Sequence, residues 1–182
     1  MTALLIVLII ALWFAGYYIM LNNKIVGLEE TVENAWSDID VQLRMRFDLV
    51  DNLVNTVKWY AKHEKDTFKE IVEARNKFTA ATDVKSKAEA DNMLSASLKS
   101  LFALSEAYPE LKANENFLSL QSELSDIENK IASARRYFNA ATREYNTTIQ
   151  EFPANVLFHN QPEDYFEGGE EIKKAPKVKF DD

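Results

Sequence analysis

Asp40, Arg44, Asp48, Asn52 and Asn55 recur at helical steps along one stretch of this chain, and Glu128, Arg135, Asn139, Thr142 and Asn146 do so along another. On an α-helix such spacing places each set on one face. The chemistry on offer is therefore ion pairing and hydrogen bonding between helices, not bond making. Two readings stay open at this stage: a solvated face, or a partly buried polar network that fixes helix register or forms a partner surface. An antiparallel arrangement of the two stretches brings Asp40 toward Arg135 or Arg136. The candidate polar network is Asp40, Arg44, Asp48, Asn52, Glu128 and Arg135.

Patterns that would support catalysis do not emerge. The sequence holds no glycine-rich phosphate loop, no G-x-S-x-G elbow and no cysteine. His63-Glu64 is followed by Thr67 where the zinc motif H-E-x-x-H requires its second histidine. The other histidine, His159, stands far away in sequence, so no metal or cofactor is expected. Asn146-Thr147-Thr148 fits a glycosylation sequon, but its mid-helix position reads as accidental. A net charge of −8 with no long basic window argues against a nucleic-acid partner. The expectation is a protein that is not an enzyme.

These side chains must be positioned by helices, and the first begins in lipid. Met1 to Leu21 carries no charged side chain, and Ala3–Leu21 matches the roughly 20 helical residues that a hydrocarbon core about 30 Å thick requires. Trp13, Tyr17, Tyr18 and Lys24 mark the membrane interface. A cleaved signal peptide would show a basic start, a shorter apolar run and a small-residue cleavage site, so residues 1–23 are read as a transmembrane signal anchor. Without cysteine, a lipidated anchor is not expected. Lys24 is the one basic residue near the span, which leaves the side of the following domain open.

Between Val26 and Phe152 stand one glycine, Gly27, and one proline, Pro109. Leu28, Val32, Trp36, Ile39, Leu43, Phe47, Val50, Val54, Val57 and Ala61 trace one apolar face, so anchor and first domain helix read as a single rod with Gly27 its soft point. Phe68, Ile71, Val72 and Phe78 define a second helix. A third starts near Ser86, where Ser86 and Glu89 have capping-box spacing, and ends at Tyr108-Pro109. The last carries Leu124, Ile127, Ile131, Phe138, Tyr145 and Ile149 and stops at Pro153. Short connections predict antiparallel neighbours, hence an all-α fold: a transmembrane helix followed by an antiparallel four-helix bundle with a long first helix over residues 24–152. Residues 153–182, rich in proline, glycine and mixed charge, read as an irregular tail in which Phe158, Tyr165, Phe166 and Phe180 remain able to dock.

The blocks VENAWSDIDVQLRMRFDLVDNLVNTVKWYAKHE, EARNKF, AYPELKANENFLSLQSEL, IENKIASARRYFNAATREYNTTIQEFP and YFEGGEEIKKAPKVKF, in this order, closely resemble the bacterial LemA family. The resemblance implies a membrane-attached antiparallel four-helix bundle and carries over no catalytic residues. Two positions depart from the family pattern. Asp51 stands where relatives usually carry proline, so a kink in the first helix is not forced, and Trp59 replaces a residue that is commonly small.

Trp36 and Trp59 are 23 residues apart and so differ by about 140° around a helix at about 100° per residue. Both cannot centre on one narrow stripe, and one of them is the candidate partner contact; the alternative is that they fill adjacent grooves of the same core. The functional expectation is a single-pass protein of the bacterial cytoplasmic (inner) membrane, a scaffold or adaptor that self-associates as a homo-oligomer or binds another membrane or envelope protein. The alternative is an accessory factor that modulates a membrane protease or an envelope stress system.

Overall fold

A computed structural model of the chain describes residues 1–167. Six helices follow one another: α1 (Thr2–Tyr60), α2 (Lys65–Ala80), α3 (Val84–Ser105), α4 (Pro109–Lys112), α5 (Glu115–Gln150) and α6 (Ala154–Leu157), with no strand among the described residues. The 59 residues of α1 make a rod about 90 Å long at about 1.5 Å per residue. It crosses the expected boundary at residues 23 and 24, and continues past Gly27 and Asp51, without a break. Asp51 instead contributes its carboxylate to Arg75 of α2, 2.9 Å away.

Helix pairing follows the apolar stripes. The N-terminal part of α1, long and apolar enough to cross a membrane, buries nothing within the chain. From Ile25 onward one face turns inward, with Val32, Ala35, Ile39, Leu43, Phe47, Val50, Leu53, Val54 and Val57 buried. The most extensive pairings are α1 with α5 and α2 with α3, rather than every sequence neighbour with the next. Contacts between Tyr60 and Asn114, Arg46 and Glu128, and Trp36 and Phe138 run in opposite order along α1 and α5, so the two are antiparallel. Along α1 the partners of α2 run in reverse, Arg75 at Asp51 and Phe78 at Phe47, whereas those of α3 run forward, Lys87 at Asp40 and Asp91 at Arg46.

Two apolar clusters result. In one, five helices contribute side chains: Val50 to Val57 of α1, Phe68 and Ile71 of α2, Leu94 to Leu101 of α3, Leu111 of α4, and Phe117 and Leu124 of α5. The other lies nearer the N-terminal end and is built chiefly from α1 and α5, joined by Ala88, Ala154 and Phe166.

Both boundaries of α3 differ from the sequence expectation. Helix α3 begins at Val84 because Asp83 is its N-cap, accepting a hydrogen bond from the Ser86 amide at 2.9 Å. It ends at Ser105, and Pro109 opens α4 at the first helical position, where a missing N–H costs nothing. Helix α5 starts at Glu115, capped by Asn114, whose side chain accepts from the Phe117 amide at 3.0 Å. In the tail expected to be irregular from residue 153, Ala154–Leu157 form α6, while residues 158–167 have no regular secondary structure and lie against α1 and α5, with Phe166 only 1% exposed. Tyr165 is exposed, and Phe180 lies outside the described residues.

Candidate functional site

The centre of the polar network is Arg46, a residue outside both sequence stripes. It is 4% exposed, an uncommon place for a guanidinium unless its donors are used. Its Nη1 donates to Asp91 Oδ1 at 2.5 Å, and its Nη2 to Glu128 Oε2 at 2.6 Å and Ser95 Oγ at 3.0 Å. One arginine of α1 thus ties together α3 and α5. Nε has no partner among the described residues. Burial raises the Asp91 carboxyl above its ordinary value; the Arg46 charge opposes the rise, Glu128 adds to it, and the net direction is upward.

Asp40 does not meet Arg135 or Arg136. It pairs instead with Lys87 of α3 and, one turn along its own helix, with Arg44 at 2.8 Å. Partial burial works against the Asp40 carboxylate, but hydrogen bonds and charge from Lys87 and Arg44 outweigh it and hold the group below its ordinary value. The Lys87 ammonium also lies 5.6 Å from the Trp36 ring centroid and 5.3 Å from that of Phe78, within the range of cation–π attraction. Of the remaining sequence candidates, Glu128 joins Arg46, Arg135 adds a favourable charge near Asp91, and Asp48 and Asn52 are exposed and outside the network.

A second polar device holds the segment after α6. Asn146 accepts the Glu163 amide at 2.8 Å and donates to the Glu163 carbonyl at 2.9 Å. Asn139 repeats the pattern on Phe166, at 2.9 and 3.1 Å. Each carboxamide grips one residue as a neighbouring strand would. The spacing matches: seven helical residues rise about 10.5 Å, and three extended residues span about 10 Å. Trp36 completes this seat, its ring 5.7 Å from Phe138 and 6.3 Å from Phe166. Trp36 is therefore half-buried in the chain's own core, whereas Trp59 is 78% exposed.

Trp59 lies at the end of α1 far from the apolar segment. Together with Asn55, Tyr60, Glu110, Asn114 and Asn116 it lines an open cleft of about 580 Å³. Near the opposite end of the molecule, Trp13 stacks on Tyr17 at 5.8 Å and Tyr18 on Phe158 at 5.0 Å, and Lys24 is exposed just beyond them. Among the described residues no three His, Cys, Asp or Glu side chains group as metal ligands would.

An all-helical protein in which one long helix joins an apolar segment to a domain with a buried ion-pair network is the class these features define. Its sequence places it more narrowly. The LemA family model matches residues 35–180, and the chain belongs to the LemA family. It is similar to the magnetosome protein MamQ of Magnetospirillum gryphiswaldense, 26% identical over 170 residues, covering 79% of this chain and 62% of that protein. Protein LemA of Metamycoplasma hominis is 24% identical over 145 residues, 79% of this chain and 66% of that protein. MamQ 1 of Paramagnetospirillum magneticum is 24% identical over 170 residues, with 79% and 62% covered. The chain thus spans between three-fifths and two-thirds of these relatives' lengths.

Proposed function

We propose that the chain is a non-enzymatic, single-pass protein of the bacterial inner membrane whose helices form an antiparallel four-helix bundle and act as a self-associating scaffold. The observation that carries this reading is the uninterrupted α1, from the apolar segment to Tyr60. A bundle fixed to its span by one helix follows the orientation of that span, so contact between neighbouring spans also aligns the bundles. Confinement in a membrane raises the effective concentration of copies, and a weak lateral interface then suffices. Trp59 is the contact assigned to the bundle's far end, since large exposed aromatics are over-represented among residues that dominate interfaces.

In-membrane crosslinking of the full chain at native expression tests this. A ladder of crosslinked species that Trp59→Ala shortens supports the scaffold and the contact together; a ladder unaffected by Trp59→Ala keeps the scaffold and removes the contact.

The second reading is an adaptor for a different membrane or envelope protein, such as a membrane protease or a stress-response component. It is favoured by the polar character of the Trp59 cleft, where Asn55, Glu110, Asn114 and Asn116 offer hydrogen bonds to a partner unlike this chain. A single stoichiometric partner co-purifying with an otherwise monomeric chain distinguishes it.

A further inference from the structure

The apolar segment is not the only part of the chain that faces outward with apolar side chains at the level of Trp13 to Tyr18. Helix α5 ends at Gln150, the chain turns through Phe152-Pro153 into α6, and then retraces its path. Asn160 meets Tyr145, Glu163 meets Asn146, and Phe166 meets Asn139, so the segment climbs back along α5. Helix α6 is thus the tip of a reversal, and the tip is apolar. Phe152 is 82% exposed, Val156 66% and Leu157 42%. Together with Trp13, Tyr17 and Tyr18 they line a groove of about 830 Å³.

Resting on the reading of the apolar segment as a membrane span, we propose that this tip, residues 151–158, is a second membrane contact that enters the interface of the bilayer crossed by α1. Continuity with the span carries the argument. Tyr18, one of the residues expected where α1 leaves the lipid, stacks directly on Phe158 at 5.0 Å. Trp13 lies about 7.5 Å further along α1, toward the lipid, at about 1.5 Å per residue. A groove whose walls include Trp13 and Tyr17 on one side and Val156 and Leu157 on the other therefore lies at or below the headgroup level. Lipid reaching Trp13 also reaches α6. Three large apolar side chains held open beside a span are thereby covered by acyl chain, as in interfacial amphipathic elements, while the exposed Glu151 and Asn155 supply the polar positions of the same turn. The reversal fixes both ends of the tip, since α5 enters it and the Asn146 and Asn139 grips hold the exit.

The chain has no cysteine, so single nitroxide labels can be placed at will. Full-length Val156→Cys, Phe152→Cys, Leu8→Cys and Lys69→Cys proteins, each reconstituted in vesicles of equal parts phosphatidylcholine and phosphatidylglycerol, are compared for collision with oxygen and with a water-soluble nickel chelate. The expected result is that labels at Val156 and Phe152 are oxygen-accessible and nickel-protected like that at Leu8, while Lys69 on α2 is nickel-accessible. Nickel access at Val156 and Phe152 equal to that at Lys69, with Leu8 still protected, overturns the second contact and leaves the span intact. Nickel access at Leu8 overturns the span and the second contact together. Protection from both reagents with dipolar broadening that disappears on dilution with unlabelled protein places a second copy in the groove and overturns the lipid assignment.

Discussion

Arg46 concentrates the electrostatic cost of the fold in one side chain. Its guanidinium is removed from water and compensated by Asp91, Glu128 and Ser95. Arg46→Ala leaves Asp91 buried without its countercharge, and we expect a loss of about 3–5 kcal/mol, as for one broken member of a buried pair. Arg46→Met with Asp91→Leu should recover most of that loss, because two apolar side chains replace the buried pair and the Glu128 carboxylate left behind is half-exposed to water. Equilibrium unfolding of the full chain in detergent measures both; a double variant as unstable as the single one would mean that the pair is not energetically coupled. Asp40 gives the pH dependence. Its folded carboxyl titrates below the ordinary value of 3.8, so its contribution is complete above that value and is lost as pH falls through the lower, folded one. The stability curves of the wild type and Asp40→Asn should accordingly separate above about pH 4 and converge in stronger acid. A double-mutant cycle should couple Asp40 to Lys87 and not to Arg135.

Elements were legible in the sequence where a single helix decides the pattern. The apolar face from Val32 to Ala61 and the faces of α3 and α5 emerge from steps of three and four, because burial on one side imposes that period whatever the partner. What periodicity cannot supply is height: it places Asp40 on a face without saying which residue of another helix stands level with it. Lys87 and Arg46 were therefore missed, and Arg46 more completely because a charged residue between apolar positions reads as solvent-facing. The Ser86 start was misplaced by a stronger local competitor, Asp83, three residues earlier. The reversal after Pro153 left one usable signal, Asn139 and Asn146 two helical turns apart on the face that buries Phe138 and Tyr145. Those carboxamides predict a measurable outcome. Asn146→Ala removes both bonds to Glu163, an exposed residue whose backbone groups water then serves, so the cost should be about 0.5–1.5 kcal/mol for each bond. Limited proteolysis should then cut between residues 158 and 167 much faster than in the wild type while α1 to α5 stay intact. Unchanged cleavage would show that Phe166 and Trp36 hold the segment without the clamp.

At the scale of the molecule, α1 is the longest element and the main partner of α5, yet its first two dozen residues contribute almost nothing to the apolar core. Deleting residues 1–22 should therefore leave a protein with mostly helical circular dichroism and cooperative unfolding. A gradual melt would mean that the helical domain relies on the membrane or on neighbouring copies. The same geometry favours assembly, because a stiff rod would transmit the alignment of neighbouring spans to the domains beyond them. The most direct test is the native mass of the full chain released from the membrane with its surrounding lipid at native expression. The expected protein masses are multiples of the 20.9 kDa chain, two copies or more. A particle holding a single 20.9 kDa chain, at every concentration and without any crosslinked ladder in the membrane, would contradict assembly.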